Sequence, residues 1–239
     1  MTGTLYGLGL GPGDPELMTL KAYRLIAAAQ VVAYPAPETG ESFARSIAAS
    51  AIPGQAEEIA IRVPMVPARA PAQAAYDAAA DRIGPHLSAG RDVVVLCEGD
   101  PFFYGSFMYL HARLSPRFPS IIVPGVSALT GCAAAAGRPL CAREEALQVL
   151  PGTLAEAEIA AWLAPGQPRA AIAFVKVGRH LAKIRRAVTA AGRAGRAVYV
   201  SHASLGHQRV LPLAEAPETA PYFSMILIPG EDPHAAPVP

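Results

Sequence analysis

The stretch CEGDPFFYGS, Cys97 to Ser106, packs several groups capable of chemistry into one segment. Asp100 can accept hydrogen bonds from a hydroxyl, an amine or a local amide. Gly99 opens the backbone to close approach. Phe102, Phe103 and Tyr104 can wall an aromatic ligand, or pack as core while Asp100 caps a following helix. Both readings stay open on these letters alone. Two more stretches share the style. GLGLGPGDPEL, Gly7 to Leu17, is crowded with glycine and proline, and VPGVSALTG offers Ser127 and Thr130 beside another glycine. His202 and His207 lie five apart, which is not a metal-ligand spacing, and no other histidine pattern predicts a metal.

The glycine-rich opening invites a phosphate, yet three nucleotide templates fail on it. A Walker loop needs a Gly-Lys pair, which is missing. The G-x-G-x-x-G frame meets Pro12, Asp14 or Glu16 where its last glycine belongs. A bare anion at the next helix start would face Asp14 and Glu16, which repel it. What remains is a simple turn, or a thin, stiff wall. Gly11 and Gly13 permit unusual angles there, and Pro12 and Pro15 fix the path.

These stretches need elements to aim them. Leu5 to Leu10 reads as a strand. Pro15 to Ala29 reads as one helix, N-capped by Asp14. Val31 to Tyr34 is a short strand closed by Pro35. Pro71 to Ser88 is a long helix with an expected kink at Gly84-Pro85. Asp92 to Cys97 is a strand of the doubly buried parallel type, Phe103 to Ser115 a helix, SIIVPG another buried strand, and VSALTGCAAAAG a helix. The second half is richer in strands: Gln148 to Leu150, Ala170 to Val177, a strand–turn–strand across VYVSHASLGHQRVLPL, and PYFSMILI, with one helix in HLAKIRRAVTAAG. The expectation is an α/β protein of two modules, 1–119 and 120–239, hinged near Arg117-Phe118-Pro119, with a mixed sheet in the second and a loose tail from Gly230. All three chemical stretches follow strands, where open α/β sheets bind ligands, and together they predict a nucleoside-sized crevice.

Composition narrows the classes. The 239 residues are 52% hydrophobic and 16% charged, which is globular rather than disordered. A net charge of +1 and scattered Lys and Arg predict no nucleic-acid partner, although a locally basic cleft would not show in the total. No run is long enough for a membrane span, and Met-Thr-Gly-Thr is no signal peptide start. Three cysteines without a C-x-x-C pair fit a reducing, cytoplasmic setting.

Taken together, GLGPGDPELMTLKA, EGDPFFYGS and VPGVSA resemble, in order and spacing, the tetrapyrrole methylase family. The resemblance covers nearly the whole chain. GTLYGLGLGPGDPELMTLKAYRLI, FFYGS and PYFSMILI look most like its members that methylate precorrin-2 at carbon 20, on the route to cobalamin. The resemblance implies a class III methyltransferase-like fold, with two α/β domains and S-adenosyl-L-methionine held in the cleft between them, and a homodimer. It implies cofactor contacts at Glu98, Gly99, Asp100, Tyr104, Ser106, Ser127 and Ala128, and from the second domain at Val175, Lys176, Val177, Ala203, Ser204 and Leu205. It places Gly11, Pro12, Gly13 and Asp14 against the tetrapyrrole. Glu98 stands where many relatives carry glycine, so its side chain is not expected to be a ligand.

Methyl transfer from a sulfonium is an in-line displacement that needs alignment and exclusion of water. No residue announces itself as the base that removes the acceptor proton; Tyr104, His202 and Asp100 are candidates. A substrate rich in carboxylates calls for cations, and Lys21, Arg24, Lys176, Arg179 and His180 are available. Rival readings are transfer to a cobalt-loaded substrate, to another ring position, or to a protein by a diphthine-type methylase. A nucleoside-binding regulatory module is the non-enzymatic rival.

Overall fold

The computed structural model of the protein describes residues 1–64, 69–164 and 170–230. These divide into two compact units, Met1–Ser127 and Ala128–Pro239. The expected tail beyond Gly230 lies outside the described residues.

The first unit is built on β1 (Leu5–Gly9), β2 (Val31–Ala36), β3 (Glu57–Arg62), β4 (Val93–Cys97) and β5 (Ser120–Val123), in the order β3-β2-β4-β1-β5. Every pairing is parallel, so all carboxyl ends share one edge. Alternation along β4 sends Val93, Val95 and Cys97 to one face and Val94 and Leu96 to the other. Both faces are covered. α3 (Arg69–Ser88) and α4 (Phe107–Leu114) bury Tyr76, Ala79, Ile83, Leu87, Phe107 and Leu110 on the first. α1 (Leu20–Ala27) and α2 (Phe43–Ala48) bury Ala22, Ile26, Ala44 and Ile47 on the second. That is why β4 reads as a continuous apolar run.

Several local expectations are corrected. The helix expected from Pro15 breaks into a 3-10 turn, Pro15–Leu17, and α1, because Thr19 makes its own cap: its hydroxyl accepts from the Ala22 amide at 3.1 Å. β2 runs on through Pro35. The β2–β4 pairing stops at Ala33, so the missing proline N–H costs no ladder bond on that side. α3, by contrast, ends at Ser88 as expected, with Pro85 inside it. SIIVPG is an edge strand rather than a buried one, with Ile121 40% exposed. α2, β3 and α6 (Glu156–Leu163) went unread in the sequence. The boundary also moves. β5 pairs with β1, so residues from Ser120 to Ser127 belong to the first unit and not to a module starting at 120.

The second unit holds β6 (Ala146–Pro151), β7 (Ala170–Val175), β8 (Val198–Ser201), β9 (Arg209–Pro212) and β10 (Ser224–Ile228), in the order β6-β7-β10-β8-β9. It is mixed, as expected: β6 and β7 are parallel and the other pairs antiparallel. Since β10 runs against both β7 and β8, strands β6, β7 and β8 end at one edge. Ile172, Phe174, Tyr199 and Ile226 pack under α6 and α7 (Leu181–Ala190), while α5 (Ala128–Ala135) contacts β8 and β10. No helix among the described residues is long and apolar enough to cross a membrane.

Candidate functional site

The three glycine-bearing loops of the first unit follow β4, β1 and β5, which are neighbours in the sheet. They meet backbone to backbone. The Gly99 amide donates to the Gly11 carbonyl at 2.8 Å, and the Gly11 amide returns the bond at 3.3 Å. A Cβ on Gly125 would stand 2.2 Å from the Gly99 carbonyl oxygen, and one on Gly9 2.5 Å from the Gly125 nitrogen. No side chain fits at this junction. Gly11 and Gly99 also hold φ of 83° and 63°, the left-handed region that favours glycine. The glycines therefore first serve to join loops. With the Gly99 N–H committed to Gly11, amide donors toward a ligand must come from its neighbours.

Asp100 fastens the same junction. Its Oδ1 accepts from the Phe102 amide at 2.9 Å and its Oδ2 from the Gly125 amide at 3.1 Å. One carboxylate thus shapes its own loop and ties it to the loop after β5. The core alternative fails for two of the three aromatics. Phe102 and Tyr104 are 48% and 45% exposed, so they are not core. Phe102 lies edge-on to His111. α4 begins at Phe107, four residues later than expected, because Tyr104 turns left-handed at φ 56°. Ser106 stands at the helix start without a capping side-chain bond. Phe107 is the buried ring, and a Cβ on Gly7 would strike it at 2.4 Å. In the first loop, Asp14 caps the Pro15 turn through the Glu16 amide at 2.9 Å, while Pro12 is partly exposed and Gly13 buried.

Glu98 turns toward α2. Burial pushes its carboxyl pKa up, and the amides of Glu98 and Ala44 pull it back. A carboxyl raised in this way costs stability as pH climbs above its ordinary value of 4.5, where the unfolded chain ionises first. Glu98→Gln is expected to raise the melting temperature at pH 7, with a gain that shrinks as pH falls toward that value; thermal unfolding across pH reads it.

In the second unit, Val175–Lys176–Val177 and His202–Ala203–Ser204–Leu205 sit at the shared edge where β7 and β8 end. Val175, Val177 and Ala203 are buried, so their side chains belong to the core and only their main chain can serve a ligand. Lys176, His202 and Ser204 have φ of 55°, 51° and 69°. With Tyr104 they make four of the five non-glycine residues at positive φ among those described. Such strain costs ~1–3 kcal/mol per residue and clusters at functional sites. The Ser204 amide is held by Gln208 Oε1 at 2.8 Å, and the His202 amide by the Phe223 carbonyl at 2.9 Å. The His202 and His207 rings lie 4.3 Å apart, and burial, then His207, lowers the basicity of His202. Ser127 is half-buried and Ala128, the first residue of α5, is exposed. Gly125, Ala44 and Gln208 were missed in the sequence. Only Gly125 had a signal, since it repeats the pattern of glycine after a strand.

The charge of these loops does not favour an anionic ligand. Gly7–Leu17 and Glu98–Phe107 carry Asp14, Glu16, Glu98 and Asp100 and no Lys or Arg. Comparisons with known proteins identify the family. The family model Tetrapyrrole (Corrin/Porphyrin) Methylases matches residues 4–217. The chain is 43% identical over 237 residues to a precorrin-2 C(20)-methyltransferase of Sinorhizobium, covering 95% of this chain and 96% of that one. It is 47% identical over 237 residues to the cobalamin biosynthesis protein CobIJ of Mycobacterium tuberculosis, covering 95% of this chain but only 46% of that protein, so it spans about half of that relative's length. Among solved structures, uroporphyrin-III C-methyl transferase from Thermus thermophilus complexed with S-adenyl homocysteine superposes with a TM-score of 0.68 at 26% identity, covering 96% of this chain and 98% of that one.

Proposed function

Because the chain belongs to the tetrapyrrole (corrin/porphyrin) methylases, we propose that it transfers a methyl group from S-adenosylmethionine to carbon 20 of precorrin-2. The end-to-end match to the Sinorhizobium enzyme carries this reading, since it spans nearly all of both chains. The acidic, glycine-joined loops support the donor assignment, because they suit a sulfonium and repel a phosphate. When bound, S-adenosylmethionine supplies an electrophilic methyl on a positively charged sulfur that leaves as a neutral thioether.

The chain's own task is then positioning. As donor contacts we propose the main chain of Glu98–Asp100, with Tyr104, Ser106, Ser127 and Ala128, and the turns at Val175–Val177 and Ala203–Leu205. Gly11, Pro12, Gly13 and Asp14 would border the flat acceptor. The Gly11–Gly99 bridge keeps the first two loops in one register, so donor and acceptor edges cannot drift apart. The methylated carbon must lose its proton. Tyr104 and His202 are the proposed acceptors, and His202 is held toward its neutral form by burial and His207. A cytoplasmic homodimer completes this reading. All three cysteines are free thiols, as a reducing compartment leaves them.

Incubation with S-adenosylmethionine and precorrin-2, with and without cobalt in the ring, tests the function. The metal-free acceptor should gain one methyl by mass, placed at carbon 20 by carbon-labelled NMR. Preference for the cobalt form would shift the substrate. Methylation at another carbon, or none, would overturn the position or the reaction.

A further inference from the structure

β8 and β9 form a hairpin in which Ser201 pairs with Arg209. The loop between them, His202–Gln208, carries the turn Ala203–Leu205. Its shape is unfavourable on local grounds. His202 and Ser204 hold φ of 51° and 69°, in the left-handed region. A Cβ is disfavoured there, whereas glycine enters it freely. Yet the glycine of this loop, Gly206, stands at neither position. Such a segment relaxes to commoner angles unless its surroundings hold it.

The restraints are specific. The His202 amide donates to the Phe223 carbonyl at 2.9 Å, just ahead of β10. The Leu205 amide donates to the His202 carbonyl at 3.0 Å, and the Gln208 amide to the Leu205 carbonyl at 2.9 Å. Ser204 is held by a side chain: Gln208 Oε1 accepts from its amide at 2.8 Å, reaching back four residues. Gln208 is exposed, so this contact is not a by-product of core packing. Nor does the residue set the hairpin, since the β8–β9 ladder starts beyond it, at Ser201 and Arg209. The Ser204 N–H is spent inside the loop and is not offered to a ligand. What Gln208 controls is the direction of the turn. Once released, Ser204 rotates toward ordinary backbone angles and carries Ala203 and Leu205 with it.

We propose that Gln208 is a positioning residue for the methyl donor: its carboxamide oxygen holds the strained Ala203–Leu205 turn in the shape that receives S-adenosylmethionine. This rests on the donor reading of that turn under the proposed function. The role needs an acceptor oxygen at that reach and no charge, and it needs Ser204 to keep its left-handed angle.

The test compares Gln208→Ala, Gln208→Glu and the double variant Gln208→Ala/Ser204→Gly. In Gln208→Ala, donor Kd by calorimetry and donor KM should each rise about fivefold to tenfold, the size of one lost hydrogen bond. kcat at saturating donor should stay within about twofold, and the acceptor KM should not change. Gln208→Glu keeps an acceptor oxygen and should bind the donor within about twofold of wild type. Glycine at 204 takes the left-handed angle without strain, so the double variant should recover much of the lost affinity. Amide exchange at Ser204, read without donor, should speed up about tenfold in Gln208→Ala. A folded Gln208→Ala with wild-type donor affinity would overturn the positioning role, even with a lower melting temperature or faster exchange. Gln208→Glu as weak as Gln208→Ala, with no rescue by Ser204→Gly, would also overturn it and make the carboxamide a direct donor contact. A wild type that binds no S-adenosylmethionine would strike the functional reading itself, and the role of Gln208 with it.

Discussion

Gly125→Ala is expected to cost more than about 3 kcal/mol of stability and to abolish S-adenosylmethionine binding. The new methyl would lie 2.2 Å from the Gly99 carbonyl oxygen and 2.7 Å from the Gly9 backbone. Both obstacles are main chain, and neither can swing aside as a side chain can. Gly9 sits at the end of a central strand, and Gly99 is tied to Gly11, so relief requires parting the loops. Thermal unfolding and calorimetry with the donor measure the two effects. Gly195→Ala is the matched control. Nothing lies within 4 Å of a Cβ there, and it should change stability by less than about 1 kcal/mol. A Gly125→Ala protein as stable as wild type would refute the close junction.

The second large effect is expected from Asp100→Ala. Its carboxylate serves two amides, Phe102 in its own loop and Gly125 in the next. Hydrogen bonds to a charged acceptor are worth roughly 1.5–3 kcal/mol each, and an amide left without a partner adds cost. Donor affinity should fall at least about tenfold through loosened loops, a positioning effect rather than a lost catalytic group. Asp100→Asn separates geometry from charge. Its single carbonyl oxygen can satisfy one amide, so it should recover part of the affinity and stability. Equal donor affinity in wild type and Asp100→Ala, by calorimetry on folded protein, would remove Asp100 from the site.

Much of this was legible in the letters because the signals are local. The β4 run Val93–Cys97 announced a strand buried on both faces, and helices do cover both. Asp14 followed by Pro15 and Glu16 announced a capped start at Pro15, and Asp14 does cap there, though what it starts is a 3-10 turn. What failed locally had tertiary causes. Thr19 could not be seen to claim its own helix start within an apolar period that ran straight through it. SIIV looks as apolar as any central strand; being at an edge depends on where β1 lies. The module boundary followed the Phe118-Pro119 punctuation, whereas β5 joined β1 across more than a hundred residues.

The sequence by itself determined the chemistry that could be excluded. Asp14 and Glu16 argued against a phosphate at the first loop, and the resemblance carried by the three motifs implied a sulfonium donor. Only the tertiary structure decided what the glycines do. Spacing in sequence cannot reveal that Gly9, Gly99 and Gly125 approach until their missing side chains are what allows contact, because that contact arises from strand order. It likewise decided that Asp100 is a fastening between loops.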